Sequence, residues 1–440
     1  MDSLSLVGVS SLTRTISSLS LSSSSSCSDA VSTPGTERSL LFDDYDQSPI
    51  NRADAGESFI LVVGGLGYIG SHTTLELLKE GYNVIVVDDL SNSYLEVLDR
   101  IWLLAKEYLK TINRTLPSLK FHKIDYRDPA MRSVLATYDS TDGLGQSRSR
   151  ISGAIHFAAF KSVEESISKP IPYYQNNVCG FVDFISVLEG FGIKNLVFSS
   201  SATVYGSMAN QGVPLREEHC VHQQETYVDQ LGQQRTVEGG VYGLTSPYGR
   251  TKWMCEAILA DIARADPSWT ITALRYFNPV GCHESGLLGE DPRQKPTNLV
   301  PVIMSVLEGE RPVLQVFGTD WDTVDGTAVR DFIHVVDLAR GHVAALAAAA
   351  KRPLREPFRT FNLGTGRGHS VREVLRSMEK ASSRTVPVKE VARREGDVGS
   401  CVAEVRRAEA ELGWRTQKSL DDCSVDVWNF LELSKRGQQI

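Results

Sequence analysis

The sequence predicts an α/β chain with a doubly wound parallel sheet, followed by a smaller C-terminal α/β domain. Three observations predict it. From Phe59 onward, short β-branched or aromatic runs alternate with helix-like stretches, the pattern of repeated strand–helix–strand units. The first run ends in clustered glycines, as a strand does when it turns sharply into a helix. After about residue 279 the alternation loosens into shorter, Pro- and Gly-rich elements, as expected of a smaller domain packed at the carboxyl edge of the sheet.

Taken in order, residues 1–58 stand apart. Positions 17–26 contain eight serines in ten, and the acidic stretch Asp43-Asp44-Tyr45-Asp46 follows. So little apolar surface cannot offset the entropy of ordering, and a disordered tail is expected. It lacks the apolar core of a secretion signal, and Asp2 with a first basic residue only at Arg14 argues against a transit peptide. Strands are expected at 59–64, 83–89, 119–125, 153–159, 195–201 and 270–278, each apolar enough to be buried on both faces. Helices are expected at 68–80, 94–110, 177–190 and 247–264. Two polar stretches, 140–150 and the Gln-rich 216–245, read as insertions. A first domain then covers 59–278 and a second 279–440.

Composition narrows the function. The 46 Lys plus Arg fall short of 54 Asp plus Glu, for a net charge of −8. That is a poor match to nucleic acid or an anionic bilayer. No apolar run reaches membrane-spanning length. The seven cysteines (27, 179, 220, 255, 282, 401 and 423) show no metal-ligand spacing, so no metal is expected. Scattered free thiols suit a reducing, cytoplasmic compartment.

Gly64, Gly67 and Gly70 close the first strand and open the first helix. Glycines there let a pyrophosphate approach the backbone amides at a helix N-terminus. The second strand ends in Asp88, close to the spacing expected of an acid that bonds the adenosine ribose, and a carboxylate there opposes a 2′-phosphate. NAD is therefore expected over NADP.

Tyr248 and Lys252 are four residues apart after Pro247, which suits the first turn of a helix. Both side chains then share one helical face. A lysine cation beside a phenol lowers its pKa and makes the tyrosine a general base for an alcohol proton. Ser201, at the end of a strand, can bond the same hydroxyl. Together with a dinucleotide site, these residues describe hydride transfer between a secondary alcohol and nicotinamide.

From Phe59 to about Phe430 the chain resembles the extended short-chain dehydrogenase/reductases, and among them the UDP-glucose (UDP-galactose) 4-epimerases. The resemblance is carried, in order, by GGLGYIGSHT (64–73), DDLSNS (88–93), HFAAFKSVEES (156–166), FSSSATVYG (198–206), SPYGRTK (246–252), LRYFNPVG (274–281), GEDPRQKPTNLVP (289–301), VRDFIHVVDLA (329–339), NLGTGRGHSV (362–371) and RREGDV (393–398). The tail and both insertions lie outside it.

The resemblance implies roles position by position. Tyr68 and Ile69 meet the pyrophosphate through their amides; Asp88, Asp89, Asn92 and Ser93 lie at the adenosine ribose; Asp125 and Tyr126 flank the adenine. Phe157, Ala158, Ala159, Lys161 and Asn176 line the remaining cofactor path with Ser201, Tyr248 and Lys252, and Phe277 packs near the nicotinamide. Asn278, Asn298, Leu299, Gln315, Val316, Phe317, Arg330, Arg394 and Asp397 receive the nucleotide sugar, the two arginines suiting a diphosphate. Cys401 borders the sugar C2 substituent, where its small side chain leaves room for an acetamido group. Taken alone, Arg330 also reads as a surface ion pair with Asp331. A homodimer is implied as well. Val63, Asp89 and Glu164 depart from the family's usual threonine, asparagine and glycine.

Other readings stay open. A nucleotide-sugar 4,6-dehydratase needs an Asp/Glu pair just after the strand-end serine, where this chain has Ala202 and Thr203. An epimerase of UDP-xylose or UDP-glucuronate, and an NAD-binding regulator without catalysis, are the others.

Overall fold

Alternating β-branched runs fold as their pattern requires. The first half of the chain runs β1 (Phe59–Val63), α1 (Tyr68–Glu80), β2 (Asn83–Asp88), α2 (Glu96–Thr111), β3 (Leu119–Lys123), α3 (Met131–Ala136), β4 (Asp139–Thr141), β5 (Ser147–Ser149) and β6 (Ile151–His156). It continues through α4 (Val163–Ser168), α5 (Pro170–Tyr174), α6 (Gly180–Gly190), β7 (Asn195–Ser201), β8 (Glu225–Val228), β9 (Gln234–Val237), α7 (Pro247–Ala265), β10 (Thr270–Tyr276) and β11 (Asn278–Val280). The second half adds α8 (Leu299–Leu307), β12 (Leu314–Phe317), β13 (Val329–His334), α9 (Val335–Lys351), β14 (Phe358–Leu363), β15 (Gly368–Ser370), α10 (Val371–Ser382), β16 (Val388–Val391), β17 (Ser400–Cys401), α11 (Arg406–Leu412) and α12 (Leu420–Gly437). These come from a computed structural model that describes residues 58–141, 145–229, 231–291, 293, 296–351, 356–394 and 396–437. The expected tail lies outside the described residues but for Ser58.

Seven strands form the main sheet in the order β14-β10-β7-β6-β1-β2-β3, with every pairing parallel. Alternation along each strand feeds two cores: Ile60 and Val62 face one, Phe59, Leu61 and Val63 the other. Each such side chain contributes about 1.5–3 kcal/mol by burial, so β1 carries no polar face. From β1 the chain winds out to β3 and then crosses back to β6 and on to β14. The reversal opens a crevice at the carboxyl ends of β1 and β6, where sheets of this kind hold ligands.

Two expectations are corrected. The strand at 119–123 is half-buried rather than buried on both faces, because it is the sheet edge. The sheet also takes its other edge strand, β14, from beyond residue 278, so the two halves of the chain interleave. The Gln-rich insertion has structure of its own. It carries the hairpin β8–β9, and Glu217, Cys220 and Val221 at its base are buried. The described part of the 140–150 insertion forms the small hairpin β4–β5.

Beyond the sheet, β13 pairs with β11, β15 and β17, while β12 pairs with β16. Val280, Ile303, Val316, Phe332, Met378 and Val427 build a core of their own there.

Candidate active site

The crevice begins where β1 meets α1. Gly64 sits at φ +77°, a backbone conformation that side chains disfavour, and a Cβ on it would lie 3.0 Å from the Ala158 nitrogen. A Cβ on Gly70 would lie 2.1 Å from the Gly64 carbonyl oxygen, so only glycine lets the helix approach the turn. Gly67 differs: its nearest neighbour would be 3.5 Å away, which leaves that side open. The first turn of α1 has no capping side chain and no acidic residue. Tyr68 and Ile69 therefore present amides with no intrahelical acceptor, and the helix dipole adds positive potential there.

Asp88, buried at the end of β2, accepts at Oδ1 from Leu90 N (3.0 Å) and Ser93 Oγ (2.8 Å), and at Oδ2 from Leu66 N (3.0 Å). Oδ1 is saturated, while Oδ2 keeps one lone pair for a further donor. Burial raises the carboxyl above its ordinary value, and the three donors oppose that rise. Asp89 is exposed and caps Ser91 N. Asn92, Ser93 and Lys161 border the same cleft as Gly67 and Tyr68; Lys161 is ion-paired with Glu290 at 2.9 Å. Asp125 is held below the usual carboxylate range by Arg127. Tyr126 is buried and donates to the Asn176 carbonyl (2.7 Å). Phe157 packs on the His342 ring, 4.8 Å away; Ala158 lies beside Gly64, and Ala159 follows it in the chain.

Ser201 ends β7 and Tyr248 opens α7, whose N-cap Ser246 accepts from Gly249 N. Ser166 Oγ holds the Tyr248 backbone amide at 3.1 Å. Burial pushes the Tyr248 phenol up to about 12, and its hydrogen bond with Ser201 pulls the other way. The expectation that Lys252 acts on the phenol directly is corrected. The Lys252 ammonium turns to β7 and donates to the Ser199 carbonyl (2.5 Å) and hydroxyl (3.2 Å), because a buried ammonium must find acceptors. Burial brings it down to about 8. Thr203, in the place where a dehydratase needs an acid, hydrogen-bonds Ser201.

On the second half, Arg330 stands beside Cys401 in the β13–β17 register. The ion pair of Arg330 with Asp331 is not found. Asp331 instead accepts from Thr365 N and Oγ1, Gly366 N and Ala403 N, and among the described residues no carboxylate pairs with Arg330. Arg394 bonds Asp397 through Nε (3.1 Å) and Nη2 (3.3 Å) and lies over the Phe317 ring. Asn298 caps α8 without a side-chain bond. Gln315 and Phe317 face outward along β12, while the Val316 side chain is buried in the second core, so only its main chain remains for a ligand. Leu299 packs on that core as well. Asn278 opens β11, and Phe277 clusters with Tyr205, Ala403 and Cys401.

The profile of the NAD dependent epimerase/dehydratase family matches residues 60–364. The chain belongs to this family. It is 40% identical over 379 residues to the UDP-glucose 4-epimerase of Dictyostelium discoideum, across 86% of this chain and 97% of that one. With the Homo sapiens UDP-glucose 4-epimerase the identity is 42% over 382 residues, again 86% and 97%. Among solved structures, UDP-glucose 4-epimerase from Bifidobacterium longum in complex with NAD+ and UDP is similar at TM-score 0.71 and 41% identity, covering 86% of this chain and all of that one.

As in the rest of the family, NAD is the cofactor, and the residues present fit it. The uncapped first turn of α1, the open side of Gly67 and the free lone pair of Asp88 suit a pyrophosphate and a ribose hydroxyl. Two buried residues escaped sequence reasoning. Glu256 lies one turn beyond Lys252, and Arg275 lies mid-strand in β10, both fully buried and paired at 2.7 Å. An arginine inside an otherwise apolar strand was the available signal, since it must carry a buried partner.

Proposed function

We propose that the protein interconverts UDP-galactose and UDP-glucose by inverting C4 of the hexose, with Ser201, Tyr248 and Lys252 at the reacting carbon. The meeting of Tyr248 and Ser201 at the end of the sheet, next to a dinucleotide cradle, carries this reading. NAD would be held by the Tyr68 and Ile69 amides and by Asp88, and when bound would supply a reversible hydride acceptor at C4, so that the isomerisation would leave no net redox change.

The protein's residues do the rest. Tyr248 Oη, as the phenolate, takes the O4 proton of the sugar and, as the phenol, gives it back after the 4-keto sugar has turned over. Ser201 orients O4, being already bonded to Tyr248. The Lys252 ammonium fixes the end of β7 beside the reacting groups, through the Ser199 carbonyl and hydroxyl. Arg330, without a carboxylate partner among the described residues, and Arg394 suit the diphosphate. Holding the nucleotide end firmly lets the hexose end rotate.

The finer readings are proposals too. The segment 59–278 binds NAD and 279–440 the UDP-sugar, with β14 crossing between them. Cys401, small and beside Arg330, admits an acetamido group, so UDP-GalNAc and UDP-GlcNAc are substrates as well. A homodimer in the cytoplasm belongs to the same reading, and the net charge of −8 opposes nucleic-acid partners. Thr203 in the dehydratase acid position argues against 4,6-dehydration. The test is incubation of purified protein with UDP-galactose and detection of UDP-glucose; no conversion refutes the reading.

A further inference from the structure

The insertion that carries hairpin β8–β9 also sends one histidine into the catalytic half of the fold. His222 has only 3% of its side chain exposed and meets Glu256 Oε2 at 2.7 Å through Nε2. A carboxylate only accepts, so Nε2 carries the proton. The ring packs on Trp253 of α7 and on Phe358 of β14, with centroids at 5.6 Å and 5.9 Å.

Glu256 is the centre of this arrangement. It lies four residues after Lys252 on the same face of α7. Oε1 accepts from Ser200 Oγ and from Arg275 Nε (3.1 Å), and Oε2 from Arg275 Nη2 (2.7 Å) and His222. Ser200 adjoins Ser201, and in register Arg275 faces Ser200 while Tyr276 faces Ser201. One carboxylate therefore ties the helix of Tyr248 and Lys252 to the strand end of Ser201. Arg275 also donates to the carbonyls of Cys220 (2.7 Å) and Glu217 (3.3 Å) at the base of the insertion. Four donors fill the four lone-pair sites of Glu256, and His222 is the only one that comes from the insertion.

We infer that His222 is a positioning residue for the epimerisation, acting through Glu256 to keep Ser201, Tyr248 and Lys252 in one arrangement. This rests on the function proposed above. Without the His222 donor, the buried Oε2 loses one of its two partners, and the carboxylate turns toward those that remain. Ser200 and the first turns of α7 move with it. Displacements of about 1 Å at reacting groups cost up to about 100-fold in rate, whereas a residue that only fastens the hairpin changes stability and leaves turnover alone.

The experiment uses full-length holoenzyme and turnover of UDP-galactose per bound NAD. His222→Phe keeps a ring and removes the donor; kcat falls about tenfold with KM and NAD content unchanged. His222→Gln retains an N–H donor and restores kcat to within about threefold of the parent. Leu231→Ser, at the exposed hairpin tip, is a control at the parental rate. A Phe variant within about twofold of the parent, or a Gln variant as slow as the Phe variant, overturns the inference. If His222→Phe yields no holoenzyme, His222→Gln decides alone, since a tenfold loss there overturns it. Parent protein inert toward UDP-galactose refutes the proposed function instead, so the two failures are distinct.

Discussion

Replacing Tyr248 with phenylalanine removes one oxygen from the crevice, and the structure bounds what else changes. The backbone of residue 248 stays held by Ser166 Oγ, and the N-cap of α7 is made by Ser246. Among the described residues, the interaction the phenol loses is the one with Ser201. A neutral hydrogen bond contributes about 0.5–1.5 kcal/mol net, so the melting temperature changes little. Removal of a general base typically costs about 10²–10⁴ in rate, or about 3–5 kcal/mol of transition-state stabilisation. Tyr248→Phe therefore retains NAD and its fold, while kcat for UDP-galactose drops at least about 100-fold. Chromatographic separation of the two nucleotide sugars over time provides the assay, with NAD content measured on the same sample. A kcat within about tenfold of the parent, at full NAD occupancy, refutes the assignment of Tyr248 as base.

Three other outcomes are expected. Gly67→Ala folds normally, because Gly67 has φ −67° and a Cβ there meets nothing closer than 3.5 Å, but it retains less NAD; Gly70→Ala, with its 2.1 Å clash, loses stability as well. Equal melting temperatures for the two variants contradict the cradle described. His72 and His342 are brought down to about 4, and His156 to about 3, chiefly by burial, against an unfolded value of about 6.5. Their contribution is intact above pH 6.5 and is lost as pH falls toward 4, because the unfolded chain takes up protons that the fold refuses. Stability at pH 5 should be lower than at pH 7 by about 2 kcal/mol per histidine, and an unchanged urea midpoint contradicts this. Cys401→Tyr should abolish activity on UDP-GalNAc and largely spare UDP-galactose, since the added ring opposes only the larger substrate; parent protein inert toward UDP-GalNAc removes the basis for the proposal.

The parallel sheet was legible because its strands are apolar runs with turn signals between them. Helices α1 and α7 begin where the glycine cluster and Ser246-Pro247 predict. Edge position was not legible: Leu119–Lys123 reads like its neighbours until tertiary order places it at the rim. Nor was the return of β14, since pairing across more than 80 residues leaves no local trace. At the site, residue identities and spacing brought Tyr248 and Ser201 together, but side-chain direction did not follow from spacing. Lys252 shares the helical face of Tyr248 and still turns to the Ser199 carbonyl and hydroxyl. The contacts of the Gln-rich insertion were not legible for a similar reason. Its composition is that of a solvated loop, and only the fold shows that the Glu217 and Cys220 carbonyls accept from Arg275 and that His222 meets Glu256.

The most direct test of the account is to incubate the purified protein with UDP-galactose, without added NAD, and then to identify the dinucleotide released on acid denaturation. The account predicts UDP-glucose as product and NAD as the dinucleotide. UDP-galactose left unchanged, or mainly NADP released, would contradict it.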